Sequence, residues 1–140
     1  MSLIPGIDAS ASALSAERTR LDVIAGNLAN AQNTNDATGG VYRRKIVIFE
    51  SKMADALNSN PGAPTQVSVA RVVDDPSPLP KLYQPGNPKA DAQGMVSMPN
   101  VNPLDEMVDM MTASRSYQAN LQVISTGRNM FEESLKIAQP

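Results

Sequence analysis

The sequence contains no cysteine, no histidine and no tryptophan. Without cysteine the chain can form no disulfide and offers no thiolate to a metal ion, and without histidine it lacks the commonest general base and the commonest zinc ligand. Aromatic residues make up only 4% of the chain, so a large core built on aromatic side chains is not expected. These absences weigh against zinc enzymes and against catalysis by a histidine base.

The sequence also lacks a long hydrophobic run and an excess of charge. Its apolar runs are far shorter than the ~20 residues of a transmembrane helix. Charged residues interrupt the stretch where a cleaved signal peptide would have its apolar region, namely Asp8, Glu17, Arg18, Arg20 and Asp22. The formal net charge of -2 gives no electrostatic reason to expect binding to nucleic acid or to an anionic membrane. We therefore expect no membrane span and no cleaved signal peptide.

The last third of the chain, Asn102–Ala138, carries the longest helical pattern. Its large apolar residues recur at steps of three, four, six and seven, which keeps them on one stripe of a helix. Asn102 is a suitable N-cap, Pro103 fits the first helical position, and Asp105 and Glu106 place negative charge at the positive end of the helix dipole. Such a helix would run about 50 Å, too long for a small globule, so it is expected to pack against a partner.

A second helix is predicted over Ile7–Asn30. Apolar residues lie in it at strict seven-residue spacing, at Ile7, Leu14, Leu21 and Leu28. A heptad stripe of this kind is typical of a helix that packs against another helix. Gly26 costs about 1 kcal/mol relative to alanine and weakens the last turn. The two terminal helices are therefore predicted to form an antiparallel coiled coil.

Between the helices the pattern changes to short strands and turns. Strands are predicted over Val41–Ser51, Thr65–Val73 and Gln93–Met98, where β-branched residues are frequent or alternate with polar ones. Residues 74–88 carry five prolines and are predicted to be extended or looped, because proline lacks the N–H that a central strand needs. Turns are predicted over 31–40 and 58–64, and a short helical turn over 52–57.

Motifs that carry chemistry are missing. The sequence has no phosphate-binding loop, HExxH motif, catalytic triad or EF-hand loop. Asp105 and Asp109 lie one helical turn apart and could hold a divalent cation, but acidic residues in a first turn ordinarily compensate the helix dipole. The basic triplet Arg43–Lys45 is interpreted as a solvated strand edge. No catalytic, cofactor-binding or metal-binding residue is therefore predicted.

Two stretches of the chain resemble the bacterial flagellar rod and hook axial proteins. Leu21–Lys45, LDVIAGNLANAQNTNDATGGVYRRK, is similar to the N-terminal signature of that family, in which a helix ends in an Asn-rich pattern before a turn and a tyrosine-led strand. Pro99–Leu135, with PNVNP, EMVDMM and ASRSYQAN, is similar to the C-terminal signature. The motifs and the short length point to the proximal-rod members. Gly127 and Arg128 depart from the family pattern, which more often has alanine and lysine, and the glycine is expected to loosen the final turns.

The resemblance implies a structural subunit of the flagellar basal body rather than an enzyme. Members of the family are exported unfolded through the flagellar type III apparatus, without a cleaved signal, and polymerise into the periplasmic rod. The implied partners are the chain itself, the rod proteins FlgB, FlgF, FlgG and FliE, and the export apparatus. A secreted coiled-coil adaptor or effector is the main alternative, and a small enzyme that uses Asp105 and Asp109 is a more distant one.

The predicted fold is mainly α with a small β insert. Residues 1–32 are expected to form the N-terminal helix of the coiled coil, 33–101 an insert of short antiparallel strands and proline-rich loops, and 102–140 the C-terminal helix. No cofactor, no nucleic acid and no direct membrane insertion is expected. The residues predicted to pack between subunits are Ile7, Leu14, Leu21, Ile24, Leu28, Leu104, Met107, Val108, Met111, Tyr117, Leu121, Ile124, Phe131 and Leu135.

Overall fold

A computed structural model describes residues 5–35, 39–52 and 66–138 of the chain. In these residues two long helices flank four short strands, in the order α1 (Pro5–Ala29), β1 (Lys45–Lys52), β2 (Gln66–Asp74), β3 (Lys81–Tyr83), β4 (Met95–Ser97) and α2 (Pro103–Ala138). The prediction of a mainly α fold with a small β insert is confirmed. Within the described ranges, neither helix combines the length and the apolar character needed to cross a membrane.

The start of α2 follows from its first four residues. The N–H of Leu104 donates to Oδ1 of Asn102 at 3.1 Å, and Nδ2 of Asn102 donates to Oδ2 of Asp105 at 2.8 Å. Pro103 occupies the first helical position, where its missing N–H removes no helical hydrogen bond. The helix then continues for 36 residues, about 54 Å at 1.5 Å per residue. The N-cap predicted from the sequence is confirmed.

The two helices run antiparallel, as predicted. Asn27, near the end of α1, donates a hydrogen bond to Glu106, near the start of α2. At the other end, Ile7 lies beside Gly127, because a Cβ atom added to that glycine would stand 3.2 Å from Cδ1 of Ile7. The helix α2 continues through Gly127 to Ala138, and the glycine leaves room for the isoleucine.

The helix α1 lies between α2 and the β1–β2 pair. It contacts α2 and also both β1 and β2, whereas α2 contacts α1 and none of the described strands. One link to the sheet is the N–H of Val67, which donates to Oγ of Ser12 at 3.1 Å. The helix α1 therefore connects α2 to the β1–β2 pair.

The four described strands form two antiparallel pairs, β1 with β2 and β3 with β4. The longer pair contains a register shift between Ile48 and Phe49, as expected of a β-bulge. The strand predicted over 65–73 and the one predicted over 93–98 are confirmed as β2 and β4. The proline-rich segment contains β3, whose side chains are all exposed, in keeping with the extended, edge-like conformation predicted for it.

The turn before β4 is closed by a carboxylate. Oδ1 of Asp91 accepts hydrogen bonds from the backbone N–H groups of Gln93 and Met95, both at 2.9 Å. These bonds favour the ionised form and lower the pKa of Asp91 below its ordinary value. The N–H of Met95 has the largest effect, the N–H of Gln93 the second largest, and the positive charge of Lys81 adds a smaller one.

The first strand begins at Lys45 rather than at Val41, so this part of the prediction is wrong. The N–H of Tyr42 donates to the carbonyl of Asn33 at 3.3 Å, and the N–H of Arg44 donates to Oδ1 of Asn100 at 2.8 Å. These donors are bonded to loop residues instead of a neighbouring strand, which delays the start of the ladder.

The strand also ends later than predicted. Lys52 pairs with Gln66 and belongs to β1, so it does not begin a helical turn. The rest of the predicted turn, 53–57, and the loop predicted over 58–64 lie outside the described residues.

The core is small and partly polar. Among the described residues, the buried hydrophobic ones are Ala16, Ile24, Tyr42, Val96, Val101 and Ala113. Two of the largest fully buried side chains are polar, Glu106 and Asn27, with exposed fractions of 0% and 1%. Because burying a polar group is costly unless its hydrogen bonds are made, the surroundings of these two residues form the candidate site.

Candidate functional site

The side chain of Asn27 makes all four hydrogen bonds that an amide can make here. Its Nδ2 donates to the carbonyl of Lys45 at 2.9 Å and to Oε2 of Glu106 at 3.0 Å. Its Oδ1 accepts from the N–H of Lys45 at 2.9 Å and from the hydroxyl of Tyr42 at 3.0 Å. One residue of α1 thereby joins α2, the start of β1 and the segment before β1.

Glu106 is held by an ion pair from the segment before β1. Nε of Arg44 donates to Oε1 of Glu106 at 2.6 Å, while Oε2 accepts from Asn27. The guanidinium of Arg44 also donates to Oδ2 of Asp109 at 3.1 Å and lies 4.0 Å from Asp75. The hydrogen bond to Glu106 raises the pKa of Arg44, and this exceeds the opposite effect of burial. The guanidinium of Arg44 therefore stays charged.

Asn100 adds a fourth segment of chain. Its Oδ1 accepts from the N–H of Arg44, and its Nδ2 donates to the carbonyl of Asp75 at 3.4 Å. We call Asn27, Tyr42, Arg44, Asn100, Glu106 and Asp109 the polar cluster. It joins the end of α1, the segment before β1, the segment before α2 and the first turns of α2.

Asp105 and Asp109, the two aspartates considered as a cation site, already bind other side chains of the chain. Asp109 pairs with Arg44 and lies 3.8 Å from the guanidinium of Arg20, and Asp105 accepts from the N-cap Asn102. Among the described residues, no group of three or more metal-ligating side chains could hold a metal ion. The polar cluster connects segments of the chain, since its carboxylates are paired with guanidinium and amide groups.

A cavity of about 380 Å³ opens beside the polar cluster. Apolar side chains of α1 and β1 line one part of it, and the charged residues Arg20, Arg44, Glu106 and Asp109 line another. Arg20, Arg44, Glu106 and Asp109 are paired with one another, and Lys45, which also lines the cavity, pairs with Asp74. Each charged group of the lining therefore already has a partner within the chain.

The face of α2 that meets α1 is built from small and polar residues. Glu106 and Ala113 are both fully buried, Asn120 is half-buried, and Gly127 meets Ile7. These four residues recur at seven-residue spacing, which keeps them on one side of a helix in a coiled coil. Small side chains let the backbones of the two helices approach closely. Large apolar residues of α2 that are exposed, such as Leu104, Met107 and Met111, lie on other faces of the helix.

The residues predicted to pack between subunits occupy different environments in the single chain. Ile24 is buried. Half-buried are Ile7, Leu14, Leu21, Leu28, Tyr117 and Ile124. The exposed ones, which we call the exposed apolar set, are Leu104, Met107, Val108, Met111, Leu121, Phe131 and Leu135. Their packing between subunits stays a prediction.

Four members of the exposed apolar set form one stripe at the start of α2. Leu104, Met107, Val108 and Met111 lie at three- and four-residue steps, with exposed fractions of 70%, 48%, 53% and 54%. They lie on the side of the helix away from Ala113, which faces α1. A long apolar stripe that its own chain does not cover is typical of an interaction surface.

The end of α2 projects past the described part of α1, which begins at Pro5. Gly127 lies beside Ile7, near that beginning, and all side chains described from 128 to 137 are exposed. We call residues 128–138 the overhang, which is about 16 Å long at 1.5 Å per residue. It carries Met130, Phe131, Leu135 and Ile137 in exposed positions.

Sequence reasoning missed the polar cluster. The interpretation of the basic triplet as a solvated edge is wrong for Arg44, whose side chain is only 28% exposed and pairs with a buried glutamate. The sequence pattern assigns Asp105 and Glu106 the same role at the helix dipole, although only Glu106 is buried. The available signal was the spacing of Glu106 from Ala113 and Gly127, which places it on the face of α2 that meets α1.

Comparisons with known proteins agree with the architecture. Residues 92–137 match the family model described as the flagellar basal body rod FlgEFG protein C-terminal region, and residues 7–37 match the model described as flagella basal body rod protein. The matched segments include Asn27 of α1 and most of α2, so they carry both ends of the helix pair.

Curated relatives cover the chain from end to end. The flagellar basal-body rod protein FlgC of Escherichia coli O6:H1 is 45% identical over 99% of this chain and 100% of its own length. Those of Salmonella typhimurium and Bacillus subtilis are 44% and 37% identical, each over 99% of this chain and 100% of their own length. This agreement confirms the resemblance to the flagellar axial proteins and the prediction of a structural protein rather than an enzyme. The chain belongs to the FlgC family of flagellar basal-body rod proteins.

Proposed function

We propose that the chain is a structural subunit of the proximal rod of the flagellar basal body. In this proposal it packs against copies of itself and against other rod proteins, FlgB, FlgF, FlgG and FliE. The assembled rod transmits torque as a drive shaft and encloses the export channel. The names of the curated relatives support the placement in the rod.

The observation that carries the proposal is the exposed apolar set. Seven-tenths of the surface of Leu104 is exposed in the single chain, and Met107, Val108 and Met111 beside it are about half exposed. The accessible surface of the chain, 9886 Å², also exceeds the roughly 7,000 Å² expected for a compact monomer of this mass. A chain with so much uncovered surface gains stability when neighbouring subunits cover it.

The proposed location is the periplasmic rod, reached through the flagellar type III export apparatus without a cleaved signal. Two features of the sequence support this route. Charged residues interrupt the N-terminal stretch at Asp8 and Glu17, and the absence of cysteine removes the risk of wrong cross-links in an oxidising compartment.

The same proposal assigns a role to each part of the chain. Residues 1–32 and 102–140 form the helix pair that packs into the inner core of the rod. Residues 33–101 form the insert, which the helix pair supports through the contacts of α1 with β1 and β2. The exposed apolar set would then meet neighbouring helix pairs.

The test replaces one exposed apolar residue of α2 by a charged one. Leu121 is 46% exposed, so Leu121→Asp should leave the single chain folded. In a subunit interface the same aspartate would lose its hydration without gaining a partner, which costs several kcal/mol. Rods should therefore fail to assemble. Gln122→Asp is the control, since Gln122 is an exposed polar residue about 100° further round the helix.

Each variant is expressed in a strain that lacks the natural protein, and motility and completed rods in isolated basal bodies are scored. Gln122→Asp should restore both, and Leu121→Asp should restore neither while giving the same circular dichroism spectrum as the natural chain. Complete rods with Leu121→Asp would contradict the packing role of this residue. A purified dimer of fixed size, absent from basal bodies, would favour the secreted adaptor instead.

A further inference from the structure

Each helix of the pair carries a seven-residue repeat in its sequence, and the two repeats meet where Ile7 lies beside Gly127. On α1 the repeat consists of Ile7, Leu14, Leu21 and Leu28. On α2 it consists of Glu106, Ala113, Asn120 and Gly127, of which the last three are small or medium-sized residues. Sliding one helix along the other by seven residues, about 10.5 Å, would bring large residues against small ones again. The apolar pattern alone therefore does not single out one register.

The polar cluster does distinguish the registers. In the observed register Asn27 meets Glu106 at 3.0 Å, and Arg44 meets Glu106 at 2.6 Å. A slide by seven residues in one direction would place Asn27 beside Ala113, and in the other it would place Asn27 beyond the start of α2 at Pro103. Either slide would separate Glu106 from both partners. Buried polar groups without hydrogen bonds are costly, and Asn27 and Glu106 are almost completely buried. A single buried polar contact can thus select a register that apolar packing leaves open.

We propose that Asn27, Arg44 and Glu106 form a register-determining contact, which fixes α2 on α1 in one of several registers that the seven-residue repeats would otherwise allow. Paired buried charges add little net stability compared with apolar residues of similar volume. Their contribution here is to specify one arrangement of the helices.

The register also sets the length of the overhang. A slide by seven residues would lengthen or shorten the projecting part of α2 by about 10.5 Å. Phe131 and Leu135, which are 38% and 51% exposed, would then be covered or moved. This consequence for assembly rests on the proposed function, whereas the register itself belongs to the isolated chain and can be measured there.

The absence of cysteine allows the register to be read by pairs of introduced cysteines. Ile7→Cys with Gly127→Cys reports the observed register, because these positions meet. Ile7→Cys with Asn120→Cys and Ile7→Cys with Ser134→Cys report slides by seven residues in the two directions. A disulfide requires Cα atoms within about 7 Å. In the otherwise natural chain only the first pair should form an intramolecular disulfide on mild oxidation.

Each pair is then placed in a chain that carries Asn27→Leu, Arg44→Met and Glu106→Leu. One of the two slide-reporting pairs should now cross-link with a yield comparable to that of the first pair, which should fall. The matched control removes an exposed ion pair of the same helix, through Arg128→Leu and Glu132→Leu. It should cross-link only through the pair that reports the observed register.

Two results would overturn the proposal. A helical triple variant that cross-links only in the observed register would show that other contacts determine it. Loss of helical structure in the triple variant would show that the contact supplies stability instead of register. If the otherwise natural chain cross-links only in the observed register and still fails to assemble into rods, the proposed function is contradicted. The register-determining contact would then remain supported.

Discussion

Removing the carboxylate of Glu106 should destabilise the chain far more than removing an exposed carboxylate from the same helix. Glu106→Ala deletes two hydrogen bonds to a fully buried group and leaves Arg44 without its shortest ion pair. Breaking a buried pair on one side costs about 3–5 kcal/mol. Because Arg44 is 28% exposed and keeps Asp109 at 3.1 Å, we expect a loss near the lower end, about 3 kcal/mol.

Urea unfolding of purified chain, followed by far-UV circular dichroism, measures this loss. The matched control is Glu132→Ala, which removes an ion pair to Arg128 whose two side chains are 51% and 77% exposed. Exposed pairs of this kind contribute about 0.3–0.5 kcal/mol. A double-mutant cycle between Arg44→Ala and Glu106→Ala should give a coupling of about 1–3 kcal/mol. Equal effects of Glu106→Ala and Glu132→Ala would refute the reasoning that burial makes this carboxylate important.

Four further predictions concern two helical glycines, the N-cap of α2 and one turn. Gly26→Ala should stabilise the chain by about 1 kcal/mol in urea unfolding, because alanine favours a helix more than glycine does and nothing lies within 4 Å of the added Cβ. Gly127→Leu should destabilise the chain by about 1–3 kcal/mol, because the larger side chain would collide with Ile7. Asn102→Ala should cost about 1 kcal/mol in the same assay by removing the N-cap of α2, and no loss would show that the cap is dispensable. Asp91→Asn should be less stable than the natural chain at neutral pH. The pKa of Asp91 is lowered from 3.8 in the folded chain, so its carboxylate adds stability that is lost as the pH falls from 3.8 through the folded pKa. The difference in urea midpoint between the natural chain and Asp91→Asn should therefore shrink over that pH range. A difference that does not change with pH would contradict this role of Asp91.

The parts of the fold that were predictable from sequence depend on local chemistry. The start of α2 follows from Asn102, Pro103 and Asp105, which act within one turn of each other. The strand β2 follows from alternation within nine residues. In both cases the interactions that decide the structure join neighbours in the chain, so a single stretch of sequence contains them.

The contact between the helices was predictable in existence but not in detail. Apolar periodicity showed that α1 and α2 would each pack against something. It could not show that Ala113 and Gly127, rather than Met107 and Met111, face α1. Large apolar residues mark a face that needs a partner, and they do not say whether the partner belongs to the same chain.

The polar cluster was not predictable because its members come from four separate segments. Arg44 and Glu106 are 62 residues apart in the chain, and Arg44 and Asn100 are 56 apart. Read singly, Arg44 looks like a surface residue of a strand, and Glu106 looks like a first-turn acid. Only the packing of α2 on α1 brings the two together and excludes water from Glu106.

The distance in sequence between Asn27 and Glu106 also has a consequence for how the chain folds. Their hydrogen bond spans 79 residues, and closing a loop of that length costs about 4 kcal/mol in chain entropy. Contacts of such high sequence separation slow folding. During synthesis from the N-terminus, α1 is complete long before the residues that pair with it exist. We therefore expect the β1–β2 pair to form early and the helix pair to close last.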